Sequence, residues 1–300
     1  MALSLSIGFI PDNIFAIAMP GSNMPTMPDI SKSSPDRNRE NSAQTVPVSV
    51  ADVQKRMGLD FPFTLAAPSF VLPAGVAENS LFLAQYFPEI ALLFFEADAC
   101  LAYTEDDLPP HLSELDCSWH VHMPLDFDWS LGLDVIWRKI EGLIDKAAFL
   151  SPRAYVLHPP TAPDMLLPLA ARLRDKGVAP ASFLIENIRG HSLTPIWEEI
   201  LAGGFSTCLD IGHILAYSQQ DVLNLPHLWE TVRMLHVYGE EKKMKHWPLS
   251  HLSEEGKSTL RTLLENAPSA TVTLEVFNQN GLFASLNQLG QWMSEWSHKK

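Results

Sequence analysis

Cysteine is scarce in this chain: there are three in 300 residues, Cys100, Cys117 and Cys208, and no two are spaced as CxxC. An odd, sparse set excludes a disulfide framework and fits a reducing compartment, so a cytoplasmic location is expected. Basic residues are also few. Against 35 Asp and Glu stand 21 Lys and Arg, and the formal net charge of −14 argues against a surface built to hold a polyanion such as duplex DNA. No segment is apolar over the ~18 residues that a membrane helix needs. The apolar run from Ile7 to Met19 lacks a preceding Lys or Arg and is broken by Pro11-Asp12-Asn13, which is not how a signal peptide is built. No G-x-G-x-x-G run follows any strand-like stretch, so the usual dinucleotide-binding signature is missing. From Met19 to Asp60 there is no aromatic residue, and Pro, Ser, Asn and Met dominate. Such a segment buries too little apolar area to offset its ordering entropy. Residues 1–60 are therefore expected to be a disordered or non-structural leader, and residues 61–300 a single folded domain.

What is present is a regular alternation of short β-rich runs and amphipathic helical runs. The strand candidates are Phe63 to Ala67, Ile90 to Phe95, Ser118 to Met123, Ala154 to His158, Ser182 to Glu186, Ser206 to Asp210, Val232 to His236 and Thr271 to Val276. Their starts lie about 25 to 40 residues apart, near the ~30 of a βα unit. Helical patterns fill the gaps, as in Val135-Ile136-Ile140-Leu143-Ile144 and Leu166-Leu167-Leu169-Ala170-Leu173, and Gly177 and Gly203-Gly204 stand where helices should stop. Eight such units most economically close into a (β/α)8 TIM barrel. An open doubly wound sheet is the alternative.

In a barrel of this kind chemistry sits where strands end, and these strands end unusually. The third carries His120 and His122, the fourth ends in His158, and the fifth in Glu186-Asn187. The sixth gives Asp210 and His213, the seventh His236 and the eighth Glu275, while the loop after the seventh adds Lys242, Lys243, Lys245 and His246. One such His is most often a hydrogen-bonded rim residue, and one such carboxylate is most often the partner of an Arg. Together they point elsewhere. The strands are otherwise apolar, and carboxylates converging in that setting would repel one another and lose hydration unless cations held them. A metal cluster resolves the conflict, and imidazole with carboxylate but no thiolate suits Zn, Mn or Fe better than Ca or Mg.

His122-Met123-Pro124, Leu157-His158-Pro159, Leu184-Ile185-Glu186-Asn187, Cys208-Leu209-Asp210-Ile211-Gly212-His213, Leu235-His236 and Leu274-Glu275 resemble the successive strand-end motifs of the AP endonuclease 2 superfamily. That group has the xylose-isomerase-like TIM barrel and includes endonucleases of the endonuclease IV type, sugar epimerases and isomerases. The resemblance covers roughly Phe61 to Trp296. It implies one metal on His122, His158 and Glu186, and a second on Glu186, Asp210, His236 and Glu275. A third would take His213 and His246 with an Asp two residues before that His, where this chain has Met244. Two or three divalent ions, Zn or Mn, are thus expected. His120 shares a strand face with His122, so either imidazole could be the ligand, and the His-x-Pro context favours His122.

Narrower stretches are similar to the cobamide-remodelling phosphodiesterases, which cut the nucleotide loop of vitamin B12-type corrinoids. They are Ala67 to Asn79, Leu92-Leu93-Phe94-Phe95-Glu96, His120 to Leu125 and Lys245-His246-Trp247-Pro248-Leu249. This resemblance implies a metal-dependent hydrolase acting on a phosphoester of a cobamide. Glu186 would bridge the ions, and Asp210 or Glu275 would accept the proton of the attacking water. Phe70, Val71, Leu72, Leu101, Tyr103, Phe127 and Trp129 lie on loops where a DNA enzyme would want Arg and Lys, and they either face the macrocycle or pack against helices. Phe70, Trp247 and His120 are expected to meet substrate, and so is Lys245, unless the lysines form only a solvated loop. Glu96 is expected to bind substrate hydroxyls or orient a ligand His. The alternatives are an abasic-site DNA endonuclease and a sugar isomerase or epimerase, the latter using Glu186 and Glu275 as acid and base around one metal.

Overall fold

The computed structural model describes Leu59 and residues 61–161, 163–242 and 245–297, with the Lys242 side chain left out. The expected leader, apart from Leu59, lies outside these residues, as do Lys243 and Met244.

Eight parallel strands close into a barrel in chain order: β1 Leu65–Pro68, β2 Glu89–Leu93, β3 Ser118–His122, β4 Tyr155–Leu157, β5 Phe183–Glu186, β6 Ser206–Asp210, β7 Val232–Val237 and β10 Thr271–Leu274, which pairs back onto β1. The expected barrel is therefore the observed one. A two-residue antiparallel pair, β8 Glu241–Lys242 and β9 Lys245–His246, stands on the loop after β7. The principal helices between strands are α1 Val76–Leu83, α2 Ala97–Leu101, α3 Leu133–Ala147, α4 Leu166–Asp175, α5 Trp197–Gly203, α6 Ile211–Ala216, α7 Leu228–Thr231 and α8 Glu254–Asn266, and α9 Gln279–Ser297 closes the chain.

Strand alternation sorts side chains to two faces. Outward residues such as Ile90, Leu92, Val121, Leu157, Phe183, Ile185, Leu209 and Leu235 join the helices in one large core. The α3 helix meets it with Ile136, Ile140, Leu143, Ile144 and Ala147, the spacing of one helical face. In α4 Leu166, Leu169, Ala170 and Leu173 are buried, whereas Leu167 points to solvent. Inward residues Val156, Leu184, Cys208 and Met234 form a separate plug inside the barrel, so the lumen is packed rather than open. Above that plug, one pleat further along each strand, the side chains turn polar. Gly204 ends α5 in the left-handed region at φ 75°, and Gly177 follows α4 at φ 80°, as helix stops require.

Candidate metal centre at the mouth of the barrel

At the C-terminal ends of the strands the structure brings six of the expected residues together. His122, Glu186, Asp210, His236 and Glu275 are buried, and His158 is partly exposed. Glu186 is central. Its Oε2 lies 3.3 Å from His122 Nε2 and 3.3 Å from His158 Nε2, and its Oε1 lies 2.6 Å from His236 Nδ1. His236 Nδ1 is in turn 3.4 Å from Glu275 Oε1. Among the described residues four groups lie close enough to hold a cation: the two expected sets, His122, His158 and Glu186, and Glu186, Asp210, His236 and Glu275, and two that overlap them, His122, His236 and Glu275, and Glu186, Cys208 and His236.

The electrostatics match that reading. Burial alone would raise the Glu186 carboxyl, yet the surrounding imidazoles, His236 foremost, hold it well below the usual carboxylate range. At Asp210 burial dominates, and the charges of Glu186 and Glu275 add to it against the pull of His213, so its carboxyl is raised. Glu186 Oε2, Asp210 Oδ2 and His236 Nε2 are buried without any well-aligned hydrogen bond. Buried polar atoms are rarely left so. Ligand atoms crowded to 3.3 Å but not aligned to bond one another fit cations placed among them.

Local sequence explains the placement. The Asp210 side chain caps α6, accepting from His213 N at 2.8 Å, so the helix begins at Ile211. Asn187 clamps the same backbone: its Oδ1 accepts from Asp210 N at 2.8 Å and its Nδ2 donates to Asp210 O at 3.1 Å. Gly212 is required by packing, because a β-carbon there would lie 2.2 Å from the Tyr238 ring. That ring stacks on His246 at 3.7 Å between centroids, and His246 Nδ1 donates to the Glu275 carbonyl at 3.0 Å.

His213 lies beside this group, with Nε2 3.8 Å from Asp210 Oδ2. The structure adds Glu241, which sequence reading missed. Its Oε2 is 3.0 Å from His213 Nδ1, its Oε1 accepts from Tyr217 Oη, and it sits directly opposite His246 in the β8–β9 pair. Burial would lower the His213 imidazole, but Asp210 and Glu241 push it up to about 9. A carboxylate is therefore present beside His213, although the sequence has Met244 where an Asp was expected. Only the pairing of β8 with β9 brings Glu241 there, and two-residue strands carry no periodic signal.

Other expected residues fall elsewhere. His120 lies one pleat below His122, fully buried, with Nδ1 2.7 Å from Glu89 Oε1, so it lines the barrel interior rather than a surface that substrate reaches. Glu96 is exposed at the start of α2. Phe70 and Trp247 are exposed at the rim, 40% and 39%, together with Leu125 at 56%, and Phe70 meets Phe95 edge-on at 5.1 Å. Lys245 is exposed. Of the two readings for these loop residues, packing holds for most: Val71, Phe127 and Trp129 are buried, and Leu72, Leu101 and Tyr103 pack partly against the same core. Apolar loop residues beside a large core gain more from joining it than from facing solvent.

No protein-family profile and no curated protein sequence matches the chain. Solved structures do. A D-tagatose 3-epimerase-like protein superimposes with a TM-score of 0.61 at 17% identity, over 79% of this chain and 99% of that one. A Thermus thermophilus protein soaked with ZnCl2 gives 0.53 at 24% identity over 78% and 99%. A D-allulose 3-epimerase from Methylomonas sp., in complex with D-allulose, gives 0.55 at 12% over 81% and 99%. At these identities the likeness establishes the fold alone: the chain has the TIM barrel of these structures.

Proposed function

We propose that the protein is a metal-dependent phosphoester hydrolase in which Glu186 is shared between two divalent cations. The observation that carries this is the position of Glu186, with His122 and His158 on one oxygen and His236 on the other. His122, His158 and Glu186 would hold the first ion, and Glu186, Asp210, His236 and Glu275 the second. Zinc or manganese suits this donor set. Paired divalent cations lower the pKa of water and neutralise charge on phosphoryl oxygens. The chain's own part is to fix both donor groups on one carboxylate and to take up a proton. Asp210 or Glu275 would receive it. His213, Glu241 and His246 would hold a third ion, Glu241 supplying the missing carboxylate.

The substrate we favour is a cobamide, cut in its nucleotide loop. Support comes from the resemblance of Ala67 to Asn79 and Lys245 to Leu249 to that branch, and from the apolar rim formed by Phe70, Leu125 and Trp247. The mostly uncharged face of a macrocycle would lie against such a rim. A second reading, a sugar isomerase or epimerase, is favoured by the epimerases that share the fold. It needs only the tetrad around one ion, with Glu186 and Glu275 as acid and base, and it leaves His122 and His158 without a role.

Protein reconstituted with zinc or manganese is incubated with coenzyme B12, with D-allulose and with an abasic oligonucleotide in parallel. A corrinoid cleavage product is expected, and its absence with both metals contradicts the cobamide reading. Turnover of D-allulose alone would establish the isomerase reading in its place, and cleavage of the oligonucleotide alone would establish the endonuclease.

A further inference from the structure

We infer that Arg189 is the anion-positioning residue of the site, its guanidinium meeting the substrate's phosphoryl oxygens on the Tyr217 side of the metal centre. The inference rests on the phosphoester reading above and adds a residue that neither the strand-end motifs nor the lysine-rich loop identifies.

Arg189 has an exposed side chain on a firmly held backbone. It follows Glu186 by three residues, at the tip of a tight turn closed by two backbone hydrogen bonds between Ile188 and His191, of 3.1 and 3.0 Å. Gly190 takes the left-handed conformation, φ 76°, that lets the chain reverse there. Beneath the turn, buried Asn187 grips both the N–H and the carbonyl of Asp210. Gln219 ties the same turn down, accepting from Asn187 Nδ2 at 3.0 Å and donating to the Ile188 carbonyl at 2.8 Å. The backbone that carries Arg189 is thus fixed to the backbone of Asp210.

The side chain lies over Tyr217. Its guanidinium carbon lies 5.8 Å from the centre of the Tyr217 ring, and that ring stacks on His213 with centroids 5.5 Å apart. Among the described residues no carboxylate pairs with it; Lys139, Arg172, Lys176, Lys257 and Arg261 have acidic partners, and Arg138, Lys146, Arg174 and Arg233 donate to backbone carbonyls instead. In a chain with 35 acidic residues and a net charge of −14, an unpaired Arg beside a carboxylate-rich site is where an anionic substrate finds an opposite charge. A guanidinium binds phosphoryl oxygens through two parallel N–H donors and rests on an aromatic face. Held there, it counters the repulsion between Glu241, Asp210 and an arriving phosphate.

The test uses zinc-loaded wild-type protein with Arg189→Gln and Arg189→Lys. Three quantities are followed: inorganic phosphate binding by calorimetry, steady-state turnover of coenzyme B12, and bound metal with melting temperature. Arg189→Gln is expected to weaken phosphate binding and raise KM by about tenfold, the loss of one exposed charge-assisted contact. Its kcat should stay within about threefold, with metal content and melting temperature unchanged, and Arg189→Lys should fall between. Unchanged phosphate affinity in Arg189→Gln overturns the assignment. So does a loss confined to kcat, metal content and melting temperature, which marks Arg189 as a brace for Tyr217. If the wild type cleaves no phosphoester yet binds phosphate through Arg189, the reaction reading fails while the anion site stands.

Discussion

Asp210 shows how much one residue carries here. Its Oδ1 caps α6 through His213 N, its backbone is gripped by Asn187, and its Oδ2 is buried without a well-aligned hydrogen bond. Replacement by Ala is expected to abolish turnover, strip bound metal and cost about 1 kcal/mol for the lost cap. Asp210→Asn should separate these roles, because an amide oxygen still caps: the melting temperature of the metal-free protein stays near wild type while metal content falls, as thermal melts and elemental analysis would record. Glu89 is the counterpart below the site. Burial works to raise its carboxyl, but the bond and charge of His120, with Ser118 and Arg153, outweigh it and the carboxyl is lowered. Its contribution to stability is therefore complete above the unfolded carboxylate pKa of about 4.3 and is lost as pH falls through the lower folded value. Glu89→Gln should cost about 1 to 3 kcal/mol at neutral pH by leaving His120 poorly paired. It should also flatten the acid limb of the stability curve below about pH 4.3, as denaturant titrations at several pH values would show.

Among the elements, the strands were the legible part. Parallel strands buried on both faces are short apolar runs, and each ended in a ligand-type side chain, so β3 to β7 and β10 could be placed to within a few residues. The β6 strand matched from Ser206 to Asp210. Less visible was what happens one pleat away. His120 and His122 share a face, and sequence could not tell that Glu89, at the far end of β2, would claim the lower imidazole. Nor could it place Glu241, whose position depends on how β8 meets β9. The step from β6 into α6 yields a direct test of element packing. Gly212→Ala puts a methyl group 2.2 Å from the Tyr238 ring, and ring and helix must separate, at a cost of about 1 to 3 kcal/mol. Because His246 stacks on that ring, the histidine signals assigned to His246 should shift in NMR spectra while those of His227, on the α7 side, remain unmoved.

On the scale of the whole barrel, the interior divides into an apolar plug of Val156, Leu184, Cys208 and Met234 and a polar mouth above it. The plug is stabilised by burial, but the mouth gathers carboxylates that only cations or protons can reconcile. Metal should then be a structural as well as a chemical component. Chelation of the loaded protein is expected to lower its stability by about 4 kcal/mol if the ions were present at ~1,000 times their dissociation constants, and its melting temperature by roughly 10 °C for a domain of this size. Scanning calorimetry with and without chelator measures both. The barrel and the gathering of ligand-type side chains at its mouth were within reach of sequence, since they follow from strand spacing and strand-end chemistry, whereas the reaction depends on how many ions Glu186 serves. The most direct measurement is therefore the metal-to-protein ratio of chelator-stripped protein reconstituted with zinc, for the wild type and for His158→Ala. A wild-type ratio of at least two, falling by one in the variant, is expected of a centre shared at Glu186; a ratio of one that His158→Ala leaves unchanged would contradict it.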